Sequence, residues 1–482
     1  MGVQSFRNVR HSNIWRRCAY LTLVVVNCAS IPQVGAESLS SVPGVWQMQG
    51  YGEILEITSE AVVRYDLTNI SCLRVEGTTT DEADLLYDRL VSSGDSFTFF
   101  ETGGITRYEF LRLDHLPQRC GFMEGGVVRD PEYNFSVLWH AFGENYAFFE
   151  LRGVDWDGVY HEFAPRIDST TSESDLFDVF ELMLGTLGDG HVQLNSPRRK
   201  FGGGSEGELR ELWNSRNSEN KRSADGASFR SALRQHVEKE ILHGEYATAG
   251  NGNFVWGWAA PGIAYLNVYA MWLSAKHEKD LTLHEQLQIV DQAMARVVAQ
   301  LGQASALIVD ARFNLGGEDA VALQIMGYLA SEAGVAFTKN TVHQAGFTEP
   351  QAVRYTPRGQ AQYGGPVIFL QGGTTASAAE IFTLAMLARP ETTRVGRPTY
   401  GVLSDELEKR LPNGWTVTMS NEVYRAVDGN VYEGTGIPPD HWVKARDDDT
   451  LANRLQRDYQ AGLALARKIA QSSAVGTPPG SK

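Results

Sequence analysis

Four cysteines in 482 residues are too few to build a disulfide scaffold, so the chain must be held by packed cores. Positive charge is also scarce: 43 Lys and Arg stand against 58 Asp and Glu, a formal net charge of −15. That balance offers no basic face for a nucleic acid and no polybasic patch for a membrane surface. The apolar stretch AYLTLVVV, 19 to 26, is too short for a comfortable membrane span. No internal repeat and no long low-complexity run is present. What is present is 43% hydrophobic residues over a length that allows two or three domains, which excludes a disordered or fibrous chain.

The most informative stretch is TTASAAEIF, Thr374 to Phe382. An apolar strand, PVIFLQ from Pro366 to Gln371, runs into Gly372 and Gly373, and a helix then carries Ile381, Leu384, Ala385 and Ala388 before Pro390 ends it. Ser377 thus sits at the positive end of a helix, where unpaired N–H groups can stabilise an oxyanion, flanked by the small residues Ala376, Ala378 and Ala379. The plainer reading is that Ser377 only caps the helix. A second landmark, DARFNLGG from Asp310 to Gly317, follows the apolar run ALIV and ends in two glycines, which permit a turn closed to other residues.

Together these motifs resemble the C-terminal processing (tail-specific) serine protease family, in which an Asp-x-Arg-x-Asn-x-Gly-Gly turn precedes a Ser-Ala-x-x-Glu helix. The resemblance implies an α/β fold with the spiral ββα core of Clp-type proteases and crotonases, and Ser377 as nucleophile. One branch of the family activates the serine with a lysine in a Thr-Phe-Gly-Lys-Gly motif. Here the stretch is PTYGVL, and Val402 stands where the lysine would be, while Lys409 lies farther on in a charged run expected to be exposed. The other branch is similar to the tricorn core protease and the interphotoreceptor retinoid-binding proteins, and takes a histidine from an earlier domain. LGDGHVQL matches it, placing His191 after a helix with Leu176, Val179, Phe180, Met183, Leu184 and Leu187 on one face. An imidazole, with its reference pKa near neutrality, suits a general base. Gly190 stands where some relatives have a serine that holds the ring. YEGTGIPPD, Tyr432 to Asp440, resembles the segment that supplies the branch's histidine-linked glutamate, here Glu433, with Asp189 as the fallback orienting carboxylate. Gly316, Gly317 and Ala378 are the implied oxyanion-hole positions. The aromatic-rich segment from Phe135 to Ile167 looks like the helical region before the histidine, and its aromatics recur at spacing that suits a core.

Six segments follow. Residues 1–36 read as a signal peptide, with Arg7, Arg10, Arg16 and Arg17 before the apolar stretch and Val34, Gly35 and Ala36 for cleavage. Export to a secreted or periplasmic location is the consequence, with lipoprotein anchoring at Cys28 the less favoured variant because Asn27 precedes it. Cys18 and Cys28 would leave with the signal. The remaining Cys72 and Cys120 either form one disulfide or stay as buried thiols. Residues 37–127 alternate in β fashion and predict a small barrel or sandwich, and 128–196 predict the helical domain that carries His191. Residues 197–254 predict a polar, mobile insertion with one amphipathic helix around Phe229 to Leu242, too short and too polar for a PDZ domain, so tail specificity cannot be assumed. Residues 255–446 form the α/β core, in which Thr282 and Glu285 make a capping box, and 447–482 a closing helix and tail.

The combined expectation is an exported serine endopeptidase acting on peptide or protein substrates through Ser377, His191 and Glu433. No metal, cofactor or nucleic acid is expected, there is no membrane span in the mature chain, and a homo-oligomer is left open. Two other readings remain at this point: a non-catalytic binder of a hydrophobic small molecule on the same fold, and a crotonase-type acyl-thioester enzyme.

Overall fold

A computed structural model describes residues 38–123, 127–204, 233–274, 281–444, 446 and 451–475. The segment read as a signal peptide and about half of the polar insertion, 205–232, lie outside the described residues, as does the start of the amphipathic helix expected there.

The first unit is built of seven strands: β1 (Gly44–Met48), β2 (Glu53–Ile57), β3 (Ala61–Leu67), β4 (Cys72–Thr79), β5 (Tyr87–Ser93), β6 (Ser96–Glu101) and β7 (Arg107–Leu113). They pair antiparallel in the order β4-β3-β2-β1-β7-β6-β5. This is one sheet, not two stacked ones, and among the described residues no pairing of β4 with β5 closes it. The physical reason is that two runs of hairpins are joined edge to edge when β7 returns beside β1. One face packs Trp46, Leu55, Phe97, Phe99 and Phe110, with Phe97 stacked on Phe110 at 4.5 Å. On the other face Cys72 and Cys120 form a disulfide beside Ile54, Tyr65 and Leu67.

A helical layer follows, with helices Pro131–Asn145, Trp156–Phe163 and Glu173–Gly185. Each begins with a polar N-cap, Asp130, Asp155 and Ser172, whose side chain accepts from the first turn. The aromatics Phe142, Tyr146 and Trp156 are buried, as their spacing predicts. This layer packs on a small sheet made of β8 (Gln193–Asn195), β9 (Lys200–Gly202) and two later strands.

The core continues with β10 (Tyr246–Ala249), β11 (Phe254–Ala260), β12 (Ile263–Val268), β13 (Ala306–Asp310), β14 (Gly334–His343), β15 (Gly346–Phe347), β16 (Gln351–Tyr355), β17 (Val367–Gln371), β18 (Thr392–Gly396), β19 (Glu406–Arg410), β20 (Thr416–Ser420), β21 (Glu422–Ala426) and β22 (His441–Trp442). Its main sheet has the order β10-β11-β12-β13-β17-β18-β22, parallel from β12 onward. Such strands are covered on both faces, which is why β12, β13 and β17 are buried throughout. Helices Leu283–Leu301, Asp319–Tyr328 and Ala378–Ala388 pack with one cluster of side chains, and the closing helix Leu451–Val475 covers the opposite face. The Thr282 and Glu285 capping box is formed as read. No helix among the described residues is long and apolar enough to cross a membrane.

Buried charges dock the N-terminal sheet on the core. The Lys339 ammonium donates to Thr106 and to Glu422, and Tyr51 donates to the same carboxylate. Lys409 was expected on an exposed run. Instead it is buried on β19 and donates to the carbonyls of Tyr51 and Gly52 at 2.6 and 2.8 Å and to Asp66 at 3.3 Å. A cation surrounded by acceptors from the first sheet serves the interface between the two units.

Candidate active site

Ser377 follows the turn after β17 and precedes the helix Ala378–Ala388. Its backbone has φ 54° and ψ −129°, a region that side-chain-bearing residues rarely occupy. Holding a serine there costs about 1–3 kcal/mol, which a simple cap does not require. Of the small residues beside it, Ala378 and Ala379 are fully buried and Ala376 nearly so.

The DARFNLGG turn presses against this elbow. Asn314 ties the two together: its carbonyl accepts from Ala376 N–H at 3.0 Å and its amide donates to the Val268 carbonyl at 3.1 Å. Gly316 has φ +97°, and a Cβ there would lie 2.7 Å from the Ser377 Cβ and 2.9 Å from the Ala378 nitrogen, so only glycine permits the approach. The Gly316 N–H, expected to face an oxyanion, is donated to the Asn314 side chain at 2.9 Å. Gly316 therefore shapes the turn, and Gly317 and Ala378 are left as candidate donors, the latter because the first N–H groups of a helix lack partners within it. Asp310 and Arg312 of the same motif form a buried ion pair, and Arg312 also donates to the Leu455 carbonyl of the closing helix.

Glu380, three residues after Ser377, is fully buried and gathers four hydrogen bonds. It accepts from Ser377 N–H at 3.2 Å, from the Thr399 hydroxyl at 2.6 Å, and from Gly401 and Val402 N–H at 2.7 and 2.8 Å. Burial pushes its carboxyl up to about 7 against the pull of those donors. The 399–404 turn then passes to Glu433, also buried, which accepts from Leu403 N–H at 2.8 Å and Ser404 N–H at 3.0 Å. Burial first, and the nearby Asp189 charge second, raise the Glu433 carboxyl well above the usual range.

From Glu433 the contacts continue to the histidine. The Arg152 guanidinium lies 3.5 Å from Glu433 and 3.4 Å from Asp189 and donates to the Gly188 carbonyl at 2.8 Å. Asp189, fully buried, accepts from the Tyr146 hydroxyl and from His191 N–H, both at 2.9 Å. His191 is buried too, its carbonyl held by the Thr418 hydroxyl at 2.6 Å. A Cβ on Gly190 would meet Val402 at 3.0 Å and Tyr400 at 3.1 Å, so the residue beside His191 abuts the same 399–404 turn that Glu380 binds beside Ser377. The turn is thus linked to Ser377 through Glu380, to His191 through its neighbour Gly190, and to Glu433 directly.

Residues 262–443 match the model of peptidase family S41, and residues 128–185 match that of the tricorn protease C1 domain. By these matches the core resembles a peptidase family S41 domain, and the helical layer before it resembles the tricorn C1 domain. A putative peptidase from Parabacteroides merdae superposes with a TM-score of 0.56 at 24% identity, covering 70% of this chain and 97% of that one. A CPAF mutant superposes with a TM-score of 0.50 at 12% identity, covering 71% of this chain and 97% of its own. The mixed α/β fold is that of these solved structures. Of the site, the Glu380 position was open to sequence reasoning, since a glutamate three residues after an N-cap serine is the capping-box spacing. Arg152, and Glu406 on β19, carried no such signal: each is a charged residue in an ordinary polar setting until the fold encloses it.

Proposed function

We propose that the protein is an exported serine endopeptidase in which Ser377 is the nucleophile, His191 the general base and Glu433 the carboxylate that orients the histidine, acting through Arg152 and Asp189. The observation that carries this reading is the strained backbone of Ser377 at a strand-to-helix elbow, pressed against a glycine turn. Ser377 Oγ attacks the carbonyl carbon of the scissile peptide bond while the imidazole takes its proton. The tetrahedral oxyanion faces the N–H groups of Gly317 and Ala378, and each such donor is worth about 3–4 kcal/mol in the transition state. The imidazolium returns the proton to the departing amine, and water then hydrolyses the acyl-enzyme by the same route.

The Cys72–Cys120 disulfide supports an oxidising compartment, in keeping with the basic and apolar N-terminal segment. A strained serine speaks against a mere binder of apolar ligands, which would have no use for it. The S377A variant is expected to lose hydrolysis of a fluorogenic casein while keeping its fold, and retained cleavage by that variant would overturn the assignment.

A further inference from the structure

The carboxylate that faces the His191 ring belongs to a residue outside the proposed triad. Glu406 Oε1 lies 4.0 Å from His191 Nε2, and both side chains are about nine-tenths buried. Its position follows from strand register. Glu406 on β19 pairs with Ser420 on β20, and Thr418 of β20 pairs with Gln193 of β8, so Glu406, Ser420, Thr418 and Gln193 share one face of this small sheet. His191 stands two residues before Gln193, at the end of that face. The Gln193 amide donates to the same Glu406 oxygen at 3.0 Å, fixing the carboxylate where it meets the ring. Glu433 is engaged elsewhere: one oxygen accepts two backbone N–H groups and the other faces Arg152.

Resting on the Ser377 and His191 reading, we infer that Glu406 is a positioning residue that holds the His191 ring and stabilises its protonated form during peptide hydrolysis. The three carboxylates of this region have different tasks. Asp189 holds its backbone N–H, Glu433 is tied to the 399–404 turn and to Arg152, and Glu406 meets the ring itself. A negative charge at this distance favours the imidazolium whichever nitrogen takes the serine proton, because it acts on the charge of the whole ring. Glu380 lies on the Ser377 side of the turn and takes no part in this contact.

The test compares wild type, E406Q, E406D, E406A, H191A and S377A as full mature chains, with kcat and KM measured across pH on a fluorogenic casein peptide and folding followed by circular dichroism. In E406Q the acid limb of kcat/KM is expected to move down by about 1 pH unit, because an opposite charge within reach raises an imidazole by that order. kcat should fall about tenfold with KM little changed, the pattern of an interaction made only in the transition state. E406D should restore part of the limb. A folded E406Q whose acid limb coincides with wild type would overturn the inference, and if E406Q is misfolded an unmoved limb in a folded E406A, which also lacks the charge, does the same. S377A and H191A separate the two levels: activity in either sinks the Ser377 and His191 reading, whereas their inactivity beside an unchanged E406Q sinks the Glu406 role alone.

Discussion

Replacing Glu380 with glutamine tests how the serine elbow is held. Glu380 is completely buried and accepts four hydrogen bonds, yet its carboxyl is raised from 4.5 to about 7, so the desolvation of the charge outweighs the donors. A carboxyl raised in the folded state stabilises the fold fully below its unfolded value, and that contribution is lost as pH climbs through the folded value. With about 1.4 kcal/mol per pKa unit, the loss between pH 4.5 and pH 7.5 amounts to about 3 kcal/mol. Glutamine cannot titrate and removes this slope. It also turns an amide donor toward the N–H groups of Gly401 or of Val402 and Ser377, at about 1–3 kcal/mol for a buried donor left unsatisfied. E380Q is therefore expected to be less stable than wild type at pH 5, and the gap should narrow by up to about 3 kcal/mol as pH rises past 7. Urea unfolding of both proteins at pH 5, 6, 7 and 8 reads this difference directly, because titrations common to both cancel. A gap that widens with pH would mean that the four donors win over desolvation, and the account of the elbow would be wrong.

Two further outcomes follow from named contacts. G316A should lower kcat on a fluorogenic casein by about a hundredfold, since the added methyl must displace Ser377 or the Ala378 nitrogen and misplacement of this order is costly to catalysis; wild-type kcat in G316A would refute the packing of the turn on the elbow. Replacing both Cys72 and Cys120 with serine should destabilise the first sheet by about 4 kcal/mol, from a closed loop spanning 48 positions, while peptide cleavage by folded protein persists. Equal thermal stability with and without reductant would contradict it.

Much of the fold was legible because the signals are local. The apolar runs ALIV and PVIFL, the cap at Thr282, and the glycines after Asp310 each act on their own few residues, and they form the elements their patterns indicate. The alternation over residues 44–113 identified strands but not their arrangement, since the same pattern serves a sandwich, a barrel or the single sheet observed. Lys409 was misjudged because a charged triplet on one strand looks the same whether solvent or another sheet faces it.

The chain order by itself determined the α/β core, the elbow that presents Ser377 and the glycine turn that only a residue without Cβ can make, because steric limits on a backbone are settled by the residues that carry them. Only the tertiary structure decided which charges meet. Gly316 gives its N–H to Asn314, Arg152 comes between Asp189 and Glu433, and Glu406 reaches His191 across two strand pairings. Electrostatic partners act through space and depend on burial, and neither distance nor burial is written in the spacing of residues along a chain.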